Sequence, residues 1–118
     1  MGKTKEHFEK FRADVEKMKA QIPDTVQGFG GMFARIMKDG ALTAKEKEFI
    51  ALGIGVAMHC KPCIRAHTQK CLDAGASRQQ ILEAASVAVM MAGGPAYTHI
   101  PVVLDTLDDL EGAGSDKK

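Results

Sequence analysis

The sequence predicts an all-α protein, and three observations lead there. Apolar residues recur at three- and four-residue spacing along nearly the whole chain, the period of one helix face. No segment alternates apolar and polar residues between turn signals, and no repeat of roughly 20 to 50 residues is present. Two capping boxes stand at the heads of apolar runs, Thr43 with Glu46 and Ser77 with Gln80. In each, the two side chains satisfy each other's backbone N–H groups. About six helices are expected, in a single domain over residues 1–118 with its core at 44–110.

The first helix, Thr4 to Ile22, places Phe8, Phe11, Val15, Met18 and Ile22 on one stripe among charged residues. Pro23 and Asp24 break it. The second, Thr25 to Lys38, carries Val26, Phe29, Met32, Phe33, Ile36 and Met37. Its Gly28, Gly30 and Gly31 weaken an isolated helix and are expected to permit close backbone approach. The third begins at the Thr43 box and runs through Phe49, Ile50, Leu52, Ile54, Val56 and Met58. It is apolar on most of its circumference and should be the buried central helix. Gly53 and Gly55 within it cost stability unless another helix packs tightly there.

A fourth helix begins around Cys60 or Lys61, with Pro62 in its first turn, where a missing N–H is no loss. It ends at Ala74, and Gly75 is the expected left-handed cap. The fifth, Arg78 to about Ala92, becomes nearly all apolar from Val87 to Met91 and stops at Gly93-Gly94-Pro95. The last runs from about Ala96 to Leu110 on a stripe of Val103, Leu104, Leu107 and Leu110. The tail 112–118 is expected to be disordered. Two helices apolar nearly all round have few partners in a chain of 118 residues. Burial against other copies of the same chain is therefore expected.

Composition removes several function classes. Sixteen Lys plus Arg against fifteen Asp plus Glu leave a net charge of +1. That offers no electrostatic reason to bind nucleic acid or an anionic membrane. Five Phe, one Tyr and no Trp leave no stacking platform for single strands. No apolar run reaches the length of about 18 residues that spans a bilayer. The first twenty residues are charged throughout, unlike a secretory signal, so a cytoplasmic protein is expected. No Gly-x-Gly-x-x-Gly fingerprint is present, so no organic cofactor is expected.

The chemistry concentrates between Glu48 and Cys71. Cys60 and Cys63 stand three apart, and His67 follows four later, so all three share one helix face. A Cys at a helix N-terminus is favoured as thiolate, and a His one turn on can exchange its proton; both lower a thiol pKa. The spacing also allows the two Cys to close a disulfide. It does not choose between them as nucleophile, because the helix dipole favours the earlier one. A zinc site counted from Cys60, Cys63, His67 and Cys71 fails, since Cys60 and Cys71 lie about 16 Å apart along one helix. No metal is expected. Cys71 alone reads as a packed core residue. Unaided, Glu48 reads as a solvated helix charge, His7 likewise as solvated, and His59 as a partly buried histidine. His99 could approach a subunit boundary or the thiol site.

Glu48, eleven residues, Cys60-Lys61-Pro62-Cys63, three residues and His67 resemble the motif of the AhpD-like alkylhydroperoxidases of the carboxymuconolactone decarboxylase superfamily. The resemblance extends from Ala44 to Leu110. It takes in the Ala74-Gly75-Ala76 turn and the Gly93-Gly94-Pro95 break. One departure is visible: peroxidase members often carry a His between the two Cys, where this chain has Lys61-Pro62, with His59 just before the pair.

The resemblance implies a helical homo-oligomer, trimeric or hexameric, that reduces peroxides. It implies that Cys63 attacks, that Cys60 resolves the sulfenic acid into a disulfide, and that Glu48 and His67 relay protons. It implies a separate disulfide-reducing partner, lipoyl- or thioredoxin-like. It also places Glu48 opposite the Cys helix across a tight contact, with which Gly53 and Gly55 are consistent. The decarboxylase branch lacks the Cys pair, which argues against lactone decarboxylation. The remaining alternatives are a carboxymuconolactone decarboxylase-like or general disulfide oxidoreductase and a non-enzymatic redox-sensing oligomer.

Overall fold

Both capping boxes close as the sequence predicts, and they set the starts of the two central helices. In the computed structural model, which describes residues 2–112, Thr43 Oγ1 accepts from Glu46 N–H at 3.1 Å, and Thr43 N–H donates to Glu46 Oε1 at 2.8 Å. Helix α3 (Ala44–Ala57) follows. Ser77 and Gln80 repeat the arrangement ahead of α5 (Arg78–Ala92). Between them runs α4 (Lys61–Asp73), which packs on α3 and on α7 (Ile100–Glu111). Among the described residues there is no strand.

The core is the seam where α3, α4, α5 and α7 meet. Leu52, Val56, Ile64, Ile81, Val103 and Leu107 are fully excluded from solvent there. At about 1.5–3 kcal/mol for each such side chain, this seam carries most of the apolar stabilisation.

Helices α1 (Thr4–Gln21) and α2 (Pro23–Ile36) pack on each other, and α1 packs on α7 and α4. The pair is pinned at its start, where Thr4 donates its backbone N–H and its hydroxyl to Asp109 Oδ2 on α7. It is pinned again at the end of α2, where Lys47 Nζ donates to the carbonyls of Ile36 and Lys38, both at 2.7 Å. A cation there satisfies carbonyls that the helix itself leaves orphaned.

The expected boundaries shift in two places. Pro23 does not break the chain over two residues. It occupies the first turn of α2, so only Ile22 stands between the helices. The last helix does not run unbroken from Ala96. A one-turn helix α6 (Gly94–Tyr97) comes first, then Thr98 and His99, then α7 with Pro101 in its first turn. Pro101 cannot continue a helix from the preceding turn, because it has no N–H to give.

The glycines of α2 are not close-approach sites: a side chain at Gly28 or Gly30 would meet open space. Gly55 on α3 is one. A Cβ there would lie 3.2 Å from the Cβ of Cys63, with the Cys63 and Ile64 backbone behind it at 3.6 Å. Gly53 is looser, with Ala84 O at 3.9 Å. Gly55→Ala is therefore expected to lower the thermal midpoint, at a cost of about 1–3 kcal/mol. Gly53→Ala is expected to leave it unchanged or raise it through helix propensity, by up to about 1 kcal/mol. Thermal unfolding followed by circular dichroism checks both.

Candidate active site

The turn from α3 to α4 sets up the site. Helix α3 ends in a Schellman motif: Cys60 N–H bonds Gly55 O at 3.0 Å and His59 N–H bonds Val56 O at 3.1 Å. The residue that must turn left-handed in this motif is His59, at φ 58°. Helix α4 ends in the same motif, and there Gly75 holds that place as expected, at φ 94°. Histidine in this conformation costs roughly 1–2 kcal/mol that glycine avoids. The strain sits directly before Cys60.

Cys60 is the N-cap of α4, and its sulfur accepts the Cys63 N–H at 3.2 Å. The sequence reading missed this capping role; a Cys directly ahead of Lys-Pro at a helix start was the available signal. Cys60 and Cys63 are joined as a disulfide with Cα atoms 5.2 Å apart. Cys63 is exposed and Cys60 half-buried. One turn beyond Cys63, His67 bonds Glu48 through Nδ1 and Oε1 at 2.6 Å.

Glu48 is thus not the solvated charge that its helix alone implied. Its side chain is 9% exposed and that of His67 14%. A carboxylate out of water needs a partner, and His67 is that partner. With the carboxylate accepting, Nδ1 carries the proton, and in the neutral imidazole Nε2 is the nitrogen with the lone pair. The close contact at Gly55 brings α3 near enough for this bond to form. A residue that no spacing pattern pointed to also joins. Phe33 of α2 stacks on the His67 ring, centroids 5.8 Å apart and planes 13° from parallel.

Cys71 is fully buried on α4, as a core residue should be. Burial first, and the Glu48 charge second, push its thiol up to about 12. His59 and His99 are brought together, with stacked rings 4.9 Å apart. His59 is exposed rather than partly buried. His99 is half-buried and its Nδ1 donates to Pro95 O at 2.8 Å. His7 is exposed as expected. Among the described residues no group of three or more His, Cys, Asp or Glu is placed to hold a metal ion. No described helix is long and apolar enough to cross a membrane.

A redox-capable cysteine pair at a helix start, with a buried acid–histidine couple beside it, defines a class of thiol site on an all-helical scaffold, and sequence comparison gives the family. The model of the carboxymuconolactone decarboxylase family matches residues 23–100, and the chain belongs to that family. A protein of the cox locus of Paracoccus denitrificans is 37% identical over 78 residues, 66% of this chain and 70% of its own length. A protein of Cupriavidus necator is 32% identical over 88 residues, 75% of this chain and 78% of its own. A crystal structure of a carboxymuconolactone decarboxylase family protein from Legionella pneumophila superposes with a TM-score of 0.83 at 32% identity, covering 88% of this chain and 93% of that one. A Thermotoga maritima structure gives 0.84 at 26% identity, covering 96% and 97%.

The Cys71 thiol gives two expected outcomes. At pH 8 the reduced, folded protein should take up two equivalents of iodoacetamide quickly and the third only in denaturant. Its folded pKa lies above the ordinary value of 9.0, so folding holds a proton that the unfolded chain releases. That contribution to stability is complete below about pH 9 and is lost as pH rises towards 12. Denaturant midpoints should fall more steeply over that range in the wild type than in Cys71→Ala.

Proposed function

We propose that this chain is a thiol-dependent peroxidase, an AhpD-like member of its family. The observation that carries the reading is the 2.6 Å bond from buried Glu48 to His67, one helical turn from an exposed cysteine of a Cys-x-x-Cys pair. Burial without a paired acid would make His67 a packing residue. The carboxylate instead sets its tautomer and leaves Nε2 as a base on the face of α4 that carries the thiols.

The chemistry runs in two steps. His67 takes the Cys63 proton, and the thiolate attacks one peroxide oxygen. The O–O bond breaks, the leaving alkoxide or hydroxide takes the proton back, and Cys63 becomes a sulfenic acid. Cys60 then attacks the Cys63 sulfur. The S–O bond breaks, water leaves, and the Cys60–Cys63 disulfide remains, two electrons having passed to the peroxide. Exposure of Cys63 favours it as the attacking sulfur. Cys60, half-buried and capped by an N–H, is suited to resolve. A dithiol from a separate lipoyl- or thioredoxin-like partner attacks the disulfide and returns both thiols. The described Thermotoga maritima relative has been given a possible part in an antioxidative response, which accords with this chemistry.

The site works in a homo-oligomer in this reading. An apolar groove of about 700 Å³ opens between α3 and α5, lined by Ile50, Ile54, Val87 and Met91. Each of these is more than half exposed in a single chain. Apolar surface of that kind calls for a partner, and a second copy presents the same surface.

Peroxide consumption with a dithiol reductant tests the activity. Cys63→Ser should abolish turnover, and Cys60→Ser should stop it after one equivalent. Glu48→Gln should slow the reaction of Cys63 by about a hundredfold. Full turnover in both cysteine variants would rule the reading out. Light scattering after gel filtration should give a trimer or hexamer, and Ile54→Glu should dissociate it.

A further inference from the structure

Helix α2 buries none of its residues completely, yet one of its side chains reaches the site. The half-buried Phe33 ring lies almost parallel to the His67 imidazole, 5.8 Å away and 13° off. Lys70, one turn further along α4, holds its Nζ 5.4 Å from the centre of the same ring. Phe33 therefore sits on α4 against His67 and Lys70, two residues three positions apart on one face. Phe29 backs it from its own helix, with centroids 5.9 Å apart. The Lys47 clamp on the carbonyls of Ile36 and Lys38 holds this end of α2 against α3.

The second torsion of a histidine is broad, so one hydrogen bond does not fix its plane. Rotation about that torsion carries Nδ1 off Glu48 Oε1 and frees the ring to change tautomer. A parallel aromatic plate resists that rotation. We propose that Phe33 is a positioning residue for the thiol site: by stacking on His67 it holds the imidazole in the plane that keeps Nδ1 on Glu48 and directs Nε2 to the cysteines. This rests on the reading of His67 as the base of the thiol pair. Phe33 touches no reacting atom and acts through His67 alone. It is also the route by which α2, distant in sequence, bears on the chemistry. A shift of α2 tilts His67 and slows thiolate formation.

The test avoids peroxide, so it stays separate from the choice of substrate. In a Cys60→Ser background, Cys63 is the one fast thiol, and its iodoacetamide alkylation is followed against pH. Nitrogen-15 NMR of the His67 ring reports its tautomer in the same samples. Phe33→Tyr, which keeps the plate, should match the background profile. Phe33→Leu keeps apolar volume without the plate. It should slow alkylation at pH 7 by at least about tenfold and mix the two tautomers. Phe33→Met serves by the same criteria if Phe33→Leu does not fold. An unchanged profile in Phe33→Leu, or slower alkylation with the tautomer intact, overturns the proposal. His67→Ala separates the two readings. If it leaves the alkylation rate unchanged, His67 is not the base of the thiol, and the effect of Phe33 on the tautomer then decides the positioning role alone.

Discussion

The tight approach of α4 to α3 at Gly55 is the constraint on which the site depends. Cys63 packs where a side chain on residue 55 would stand. That proximity requires the chain to reverse within three residues, and the Schellman turn through His59 does it. The same bonds end α3 on time and deliver Cys60 as the N-cap of α4. From this junction the two helices recede side by side, and Glu48 meets His67 across the seam. A wider helix pair would leave the carboxylate buried without its partner, which costs far more than the bond itself contributes.

Three cysteines on or beside one helix end in three environments. Cys63 is exposed, Cys60 is half-buried beneath a backbone N–H, and Cys71 is fully enclosed. Low dielectric and the Glu48 charge both oppose ionisation of Cys71. A thiolate needs donors or cations close by, and these lie at the N-terminal turn and not in the core. Position along the helix thus separates the pair that can react from the residue that only fills space.

Much of the fold was legible because local rules decide it. Thr43 with Glu46 and Ser77 with Gln80 cap as their spacing demands, and Gly75 takes the left-handed place that a Cβ resists. His59 was not legible in the same way. The Schellman motif needs positive φ, which non-glycine residues adopt uncommonly, and no glycine marks the place at residue 59. The glycines of α2 misled for a similar reason: small residues permit close approach, but only a neighbour can use it, and Gly28 and Gly30 have none in this chain. The break at Thr98 and His99 was hidden because the apolar stripe continues across it, although Pro101 marked the restart.

The sequence by itself determined the helices, their caps and the face that carries Cys60, Cys63 and His67, because each follows from contacts within about four residues. The resemblance pointed to Glu48, while helix periodicity alone left it in solvent. Only the tertiary structure decided that Glu48 is buried against His67, that Cys71 is sealed beside them, and that Phe33 lies on the imidazole. Those placements join residues 19 and 34 positions apart. They depend on how closely two helix axes approach, and no local pattern encodes that distance.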